Sequence, residues 1–320
     1  MSAANLLRLP SALGDLEIPY HVLGAPGRSP RVALVAGLQG DELNGVFVLA
    51  RLAAYLRAVE AGEQRGRLKA PLLVVPCVNV AGVHAGRHCW PLDNTDINGM
   101  FPGNATGETT QRIAQAVLEL TRDAYYRVDI HGSGPHLEEL PQVWLFDPHD
   151  EERSTACQFG LAVAEQRADG GYAGSLYSAW RPWPGECFVL QAGLAGALQL
   201  PHCERLFRAL VAFLQRTEIL EGVELSEDED LHYFGAAQLV SVTADQAGWF
   251  VSHLDVGRWL LAGEVIGQMY DGFAGSVLAE VRSPVSGLVA AIRRQPLTFE
   301  GEPLARIHAG RAAVAGGTGP

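Results

Sequence analysis

The amino-acid sequence predicts an α/β fold. A mostly parallel or mixed sheet flanked by helices is expected over residues 1–224, a small β-sandwich over 225–312 and a disordered tail over 313–320. Three observations carry this expectation. Short apolar runs ending at Gly or polar residues alternate with segments of helical spacing through the first two-thirds of the chain, as in a sheet built by crossovers. The pattern changes after about Glu221, where an acidic stretch, Leu225–Asp230, reads as a solvated linker. Beyond it, short apolar strands are punctuated by Gly with little helical periodicity.

The elements follow in order. Arg31–Gly37 is an apolar run ending in Gly and reads as a buried strand. Leu43–Val59 places Val46, Leu49, Ala50, Leu52 and Leu56 at helical spacing. Pro71–Val80 reads as a second buried strand. Glu108–Arg122 is an amphipathic helix with Thr106 or Thr109 as its expected cap. Tyr125–Ile130 is a strand running into His131-Gly132, and Gln142–Phe146 and Cys187–Gln191 are further strands. Pro201–Ile219 is a helix with Pro in its first turn. In such sheets, sites collect beyond strand C-termini, which is where Gln39, His131 and Gln191 fall.

Composition narrows the function. The 320 residues carry a formal net charge of -12, which argues against a nucleic-acid partner. The five cysteines are scattered with no C-x-x-C pair, which disfavours a thiolate zinc site and fits a reduced, cytoplasmic setting. No signal-peptide pattern or membrane-length apolar run occurs. Gly-x-Ser-x-Gly and Walker A motifs are absent, which sets aside nucleophile-elbow hydrolases and P-loop enzymes.

The C-terminal region contains a weak internal repeat: Leu261–Met269 pairs with Phe299–Ile307, with Ser283–Val289 between them. The pattern resembles the β-sandwich of biotinyl and lipoyl carrier domains. Carrier function needs a lysine to acylate, and Lys69 is the only lysine in the chain. The region is therefore read as a structural β domain.

The chemistry-bearing residues lie in the first two-thirds. Gly37-Leu38-Gln39-Gly40-Asp41-Glu42 follows a predicted strand, Asp129-Ile130-His131-Gly132 ends another, and Phe188-Val189-Leu190-Gln191-Ala192-Gly193 lies in a third. Asn79-Val80-Ala81 and Asp96-Ile97-Asn98-Gly99-Met100-Phe101-Pro102-Gly103 lie between them. In this order the segments resemble the succinylglutamate desuccinylase/aspartoacylase family of zinc carboxypeptidase-like deacylases. The family's motifs read Gly-x-His-Gly-x-Glu, Asn-Pro-x-Ala, Asp-x-Asn-Arg-x-Phe-Pro-Gly, Asp-x-His-Gly and apolar-Glu-x-Gly. The resemblance covers nearly the whole chain, since the family also has a C-terminal β domain.

Carried over residue by residue, the resemblance implies a site for one Zn2+ ligated by Gln39, Glu42 and His131. It implies substrate-binding roles for Arg87, Asn98 and Arg181, with Arg87 or Arg181 stabilising an oxyanion, and it puts Gln191 at the catalytic Glu position. The departures are specific. Gln39 stands for a His ligand, Gln191 for the general base and Gly99 for an Arg that clamps a substrate carboxylate. A hydrolytic zinc site needs three protein ligands and an open position. A Gln amide oxygen binds zinc more weakly than imidazole and favours a harder ion. Gln191 cannot accept a proton at neutral pH. His84, His88, His136, Glu138 and Glu139 lie in neighbouring segments as candidate replacements. Two readings stay open at this stage. One is a metal-dependent hydrolase of a small N-acylated amino acid or amine. The other is a degenerate member that binds a small molecule, or serves as a regulatory or scaffolding subunit in an oligomer with itself or with an active relative.

Overall fold

The computed structural model describes residues 5–10, 15–25, 29–167, 172–225, 227 and 229–310. The tail expected over 313–320 lies outside these residues. Two compact units are present, one formed by 1–132 and 141–233, the other by 133–140 and 234–320.

The first unit is the α/β layer. Its strands are β1 (Asn5–Leu9), β2 (Leu16–Leu23), β3 (Val32–Ala36), β4 (Arg67–Leu68), β5 (Leu72–Val75), β6 (Tyr126–Ser133), β7 (Leu137–Phe146), β8 (Val163–Arg167), β9 (Glu186–Leu194), β10 (Leu220–Glu221) and β11 (His232–Phe234). Its helices are α1 (Leu43–Glu60), α2 (Val80–Ala85), α3 (Thr109–Thr121), α4 (Asp150–Ala156), α5 (Leu176–Trp180) and α6 (Leu200–Arg216). The main sheet runs β1-β2-β5-β3-β6-β9-β7-β8, and β10 pairs separately with β4. Pairing is parallel for β3 with β5 and β6 and for β7 with β8, and antiparallel at the β1–β2–β5 edge. The sheet is thus the mostly parallel one expected, extended by an N-terminal hairpin whose sequence shows no strong alternation.

Each sheet face buries a separate core. Val32, Leu34, Val128, Ile130, Phe188 and Leu190 pack against α1 and α6, where Phe159 and Phe213 stack with ring centroids 4.2 Å apart. Ala33, Val35, Cys187 and Val189 face the other way, toward Trp90, Ile97, Leu176 and Trp180. That second face is covered by the long connection from β5 to α3 and by the short α5. Strand side chains alternate between faces, so Asp129, His131 and Gln191 all belong to the second face.

Several expected boundaries shift. The strand read over Pro71–Val80 ends at Val75, because Asn79 caps a new helix, its Oδ1 accepting from Gly82 N at 2.8 Å. The cap of α3 is Glu108, whose amide donates to Gln111 Oε1 at 3.1 Å, in place of Thr106 or Thr109. The chain divides at Tyr233/Phe234, where composition suggested a cut at 224/225. Glu229 and His232 stay with the first unit through the Arg205–Glu229 ion pair and the His232 N to Ala162 O hydrogen bond.

The second unit is a two-sheet β structure. Its strands are β12 (Leu239–Thr243), β13 (Gly248–Val251), β14 (Trp259–Leu260), β15 (Val265–Tyr270), β16 (Val277–Arg282), β17 (Gly287–Arg293), β18 (Leu297–Thr298) and β19 (Pro303–Ala309). One sheet joins residues 137–139 of β7 to β17, β19 and β12; the other runs β16-β15-β13-β18. Phe250, Ile266, Met269, Val289, Ile292, Leu304 and Ile307 fill the core between them.

Arg127 is the largest buried charge in the first unit. Its guanidinium donates to the carbonyls of Arg122, Trp180, Trp183 and Pro184 at 2.8–3.2 Å. These bonds tie the end of α5 and the chain after it to the sheet. Arg127→Met leaves four carbonyls short of a charged donor, and a loss of about 3 kcal/mol or more is expected in urea unfolding. A loss under about 1 kcal/mol would show that water replaces the guanidinium without difficulty.

Candidate active site

The site begins where β3 ends. After Ala36 the chain turns through Gly37 and Leu38, and Gln39 and Glu42 follow before α1 starts. Glu42 is the residue that precedes the first turn of α1, yet its side chain does not cap the helix. Its carboxylate turns instead to His131, whose Nδ1 lies 3.0 Å from Glu42 Oε2. The same Nδ1 lies 3.1 Å from Gln39 Oε1. The opposite ring nitrogen, Nε2, is 2.8 Å from Asp129 Oδ2, an ion-pair contact without hydrogen-bond alignment. Asp129 and His131 are two apart on β6, which places both on one face. All are nearly sealed from solvent: Gln39 is 4%, Glu42 6%, Asp129 0% and His131 4% exposed.

The loop is braced from outside. Gly40 N donates to His88 O at 3.0 Å, and His88 Nδ1 lies 2.9 Å from Asp41 Oδ1. Asn79 joins the same brace, its amide donating to Gly37 O at 2.7 Å and its side chain to His88 O at 3.3 Å. A Cβ on Gly40 would sit 2.2 Å from the Gly82 carbonyl carbon, so only Gly allows α2 to come this close.

Burial sets the charge states. It pushes the Glu42 carboxyl up, against the pull of His131. For His131, burial works to lower the value, but Asp129 and Glu42 overcome it and hold the imidazolium well above its usual range. The Tyr172 ring stands edge-on to His131 at 6.4 Å between centroids, and desolvation pushes its hydroxyl up to about 12. His88 is raised by its bond to Asp41.

Gln39, Glu42 and His131 are therefore brought together. Among the described residues, no three His, Cys, Asp or Glu side chains gather to hold a metal ion, as follows from Gln in the first ligand position. The donors nevertheless fit one. Ligand atoms about 2.0–2.2 Å from a tetrahedral zinc lie roughly 3.3–3.6 Å apart, so the 3.0 and 3.1 Å contacts from Nδ1 would have to open by a few tenths of an ångström to admit one. Asp129, 2.8 Å from Nε2, stands where the outer carboxylate of a metal-bound His would be.

The other expected residues differ in their surroundings. Gln191 is buried on β9, the strand beside β6, on the same face as His131. Arg87 is exposed in the brace loop, next to His88, and its amide donates to Gly82 O. Arg181 makes its contacts elsewhere: it donates to buried Glu152 at 2.5 Å and to Asp147 O at 3.0 Å. Asn98 Oδ1 accepts from Leu176 N at 3.0 Å. Gly99 opens on free space, with no atom within 4 Å of where its Cβ would be. His84 is exposed on α2. Glu138 pairs with Arg294 and Glu139 with Arg306 inside the second unit, which also contains His136. The residues missed in the sequence are Asp96, Asp129 and Tyr172. Asp96 and Asp129 both stand in motifs quoted from the sequence without a role assigned to them, Asp129 being legible from its i, i+2 relation to His131, whereas Tyr172 lies in no motif.

Comparison with known proteins shows where the sequence and fold recur. Residues 28–168 match the succinylglutamate desuccinylase/aspartoacylase catalytic domain. The chain is 27% identical over 319 residues to the N-alpha-acetyl-L-2,4-diaminobutyric acid deacetylase of Halomonas elongata, covering 95% of this chain and 90% of that protein. The product-bound structure of the ectoine utilization protein EutE (DoeB) from Ruegeria pomeroyi has the same fold, with a TM-score of 0.78 at 22% identity, covering 95% of this chain and 94% of that one. A succinylglutamate desuccinylase/aspartoacylase from Rhodobacter sphaeroides gives 0.75 at 20% identity, covering 95% and 94%.

Replacing Gln39 by His restores an imidazole donor. Gln39→His is expected to tighten zinc binding by about 10–100-fold in calorimetry. His131 must give up its proton to ligate, so affinity in both proteins should rise with pH. Equal zinc affinity in the two proteins would place the ion elsewhere.

Proposed function

We propose that the chain, whose residues 28–168 match the succinylglutamate desuccinylase/aspartoacylase catalytic domain, is a metal-dependent amidohydrolase of small N-acylated amines or amino acids. The observation that supports this reading is the convergence of Gln39 Oε1 and Glu42 Oε2 on His131 Nδ1, with Asp129 behind the ring. Gln39, Glu42 and His131 would hold the ion. When bound, a divalent ion supplies Lewis acidity toward water and toward an amide carbonyl.

The chain's own residues have separable tasks. Asp129 fixes the orientation of His131 and keeps its Nδ1 turned toward Glu42 and Gln39. The closed surroundings keep bulk water from competing with these polar groups. Gln191 offers amide donors and an acceptor to a substrate but no titratable proton. The open space at Gly99 removes the clamp for a substrate carboxylate and leaves room at that end of the ligand. The relative that deacetylates N-alpha-acetyl-L-2,4-diaminobutyric acid makes N-acetylated diamino acids the first substrates to assay.

A second reading is favoured by Gln191. A neutral residue at the family's proton-transfer position suits a member that binds such a ligand, or a partner, without turnover. One assay separates the two. Turnover by the wild type that Glu42→Ala and His131→Ala abolish supports the hydrolase. No wild-type turnover, with activity gained in Gln39→His/Gln191→Glu, supports the binding protein. Turnover that survives both alanine variants puts the chemistry at another site. If the wild type turns over, the double variant should raise kcat/KM by about 10²–10⁴-fold. Each single change should give less than about tenfold, because ligand and base act as a unit.

A further inference from the structure

Gln39 has an amide where the family has an imidazole, and an amide can present either of two ends. Its Nε2 donates to Asp96 Oδ1 at 3.0 Å. A carboxylate can only accept, so the NH2 end must face Asp96 and the oxygen must face His131. Asp96 is itself fixed. The same Oδ1 accepts from Asn98 N at 2.9 Å, and Asn98 Oδ1 accepts from Leu176 N at the start of α5. Linked hydrogen bonds thus run from α5 through Asn98, in a single-turn 3₁₀ helix (Ile97–Gly99), and Asp96 to the Gln39 amide nitrogen, which leaves the oxygen toward His131. The two partners are 57 positions apart in sequence, so no local rule pairs them.

We propose that Asp96 is a positioning residue that makes Gln39 an oxygen ligand, turning the site into a set of one amide oxygen, one carboxylate and one imidazole. This rests on reading the Gln39–Glu42–His131 group as a metal centre. Two hard oxygens and one nitrogen narrow the usual preference for zinc and favour harder divalent ions such as Mn2+. Without Asp96 the amide is free to turn its NH2 inward, where it would meet a cation with a donor.

The test is a calorimetric titration of the full-length, metal-stripped protein with Zn2+ and with Mn2+ separately. Asp96→Ala should weaken binding of both by about 10–100-fold, the usual effect of losing an outer-shell partner. In Asp96→Asn the Asn98 N–H that donates to Oδ1 holds the side-chain oxygen in place as the acceptor for Gln39, so this variant should stay within about threefold of the wild type. In a Gln39→Ala background Asp96→Ala should cost nothing more, since the residue it acts on is gone. Circular dichroism of each variant checks that the loop folds, and Asp96→Asn serves as the folded control. If Asp96→Asn is as damaging as Asp96→Ala, the charge of Asp96 acts directly on the ion and the proposal falls. The proposal also falls if the Asp96→Ala penalty persists in the Gln39→Ala background. Wild-type binding with no response to Asp96→Ala overturns the proposal and leaves the metal centre standing. An absence of binding in every protein overturns both.

Discussion

Two carboxylates and an imidazole are sealed inside the first unit, and they have to satisfy one another. Burying an isolated ion is prohibitive, and buried charges persist where they are paired. Here His131 takes Glu42 on one nitrogen and Asp129 on the other. That requirement explains why Glu42 gives up the capping role its position before α1 offers. It also accounts for Asp129 and His131 standing together on the face of β6 where the neighbouring β3 carries Ala33 and Val35. The group is a local weakness in the core unless a fourth party, such as a cation, takes up the remaining lone pairs.

The fold supplies the convergence through three separate chain segments. β3 delivers the loop with Gln39 and Glu42, β6 delivers Asp129 and His131, and the covering connection delivers Asp96. The bare contact of Gly40 with α2 keeps the first loop pressed toward the sheet. Asn79 and His88 then stitch the loop to the covering connection. Shape and chemistry are coupled at this point: the glycines and the Asn of the motifs do no chemistry, yet they decide where the oxygen atoms end up.

Much of this was legible in the sequence, for identifiable reasons. The parallel strands are continuous apolar runs, and α1 and α6 have regular helical spacing, so the sheet and its two main helices could be read directly. The β1–β2 hairpin and the short α4 and α5 could not, because elements of this length carry too few residues for a period to emerge. The domain division was blurred because β7 contributes its first residues to one unit and the rest to the other. At the site, Glu42 and His131 were found through motif spacing. Spacing suggested a substrate contact for Arg181 but gave no sign of its ion pair with Glu152, a partner 29 positions away. Asp96 escaped because its role depends on a contact that only the folded connection creates.

The central claim is that Gln39, Glu42 and His131 form one metal centre with the amide oxygen turned inward. Diffraction from crystals grown with Mn2+, collected for its anomalous signal, tests it most directly. The account predicts one peak within about 2.0–2.4 Å of Gln39 Oε1, a Glu42 oxygen and His131 Nδ1, with Gln39 Nε2 still on Asp96. A peak bound by other residues, or a Gln39 amide turned away from the ion, would contradict it.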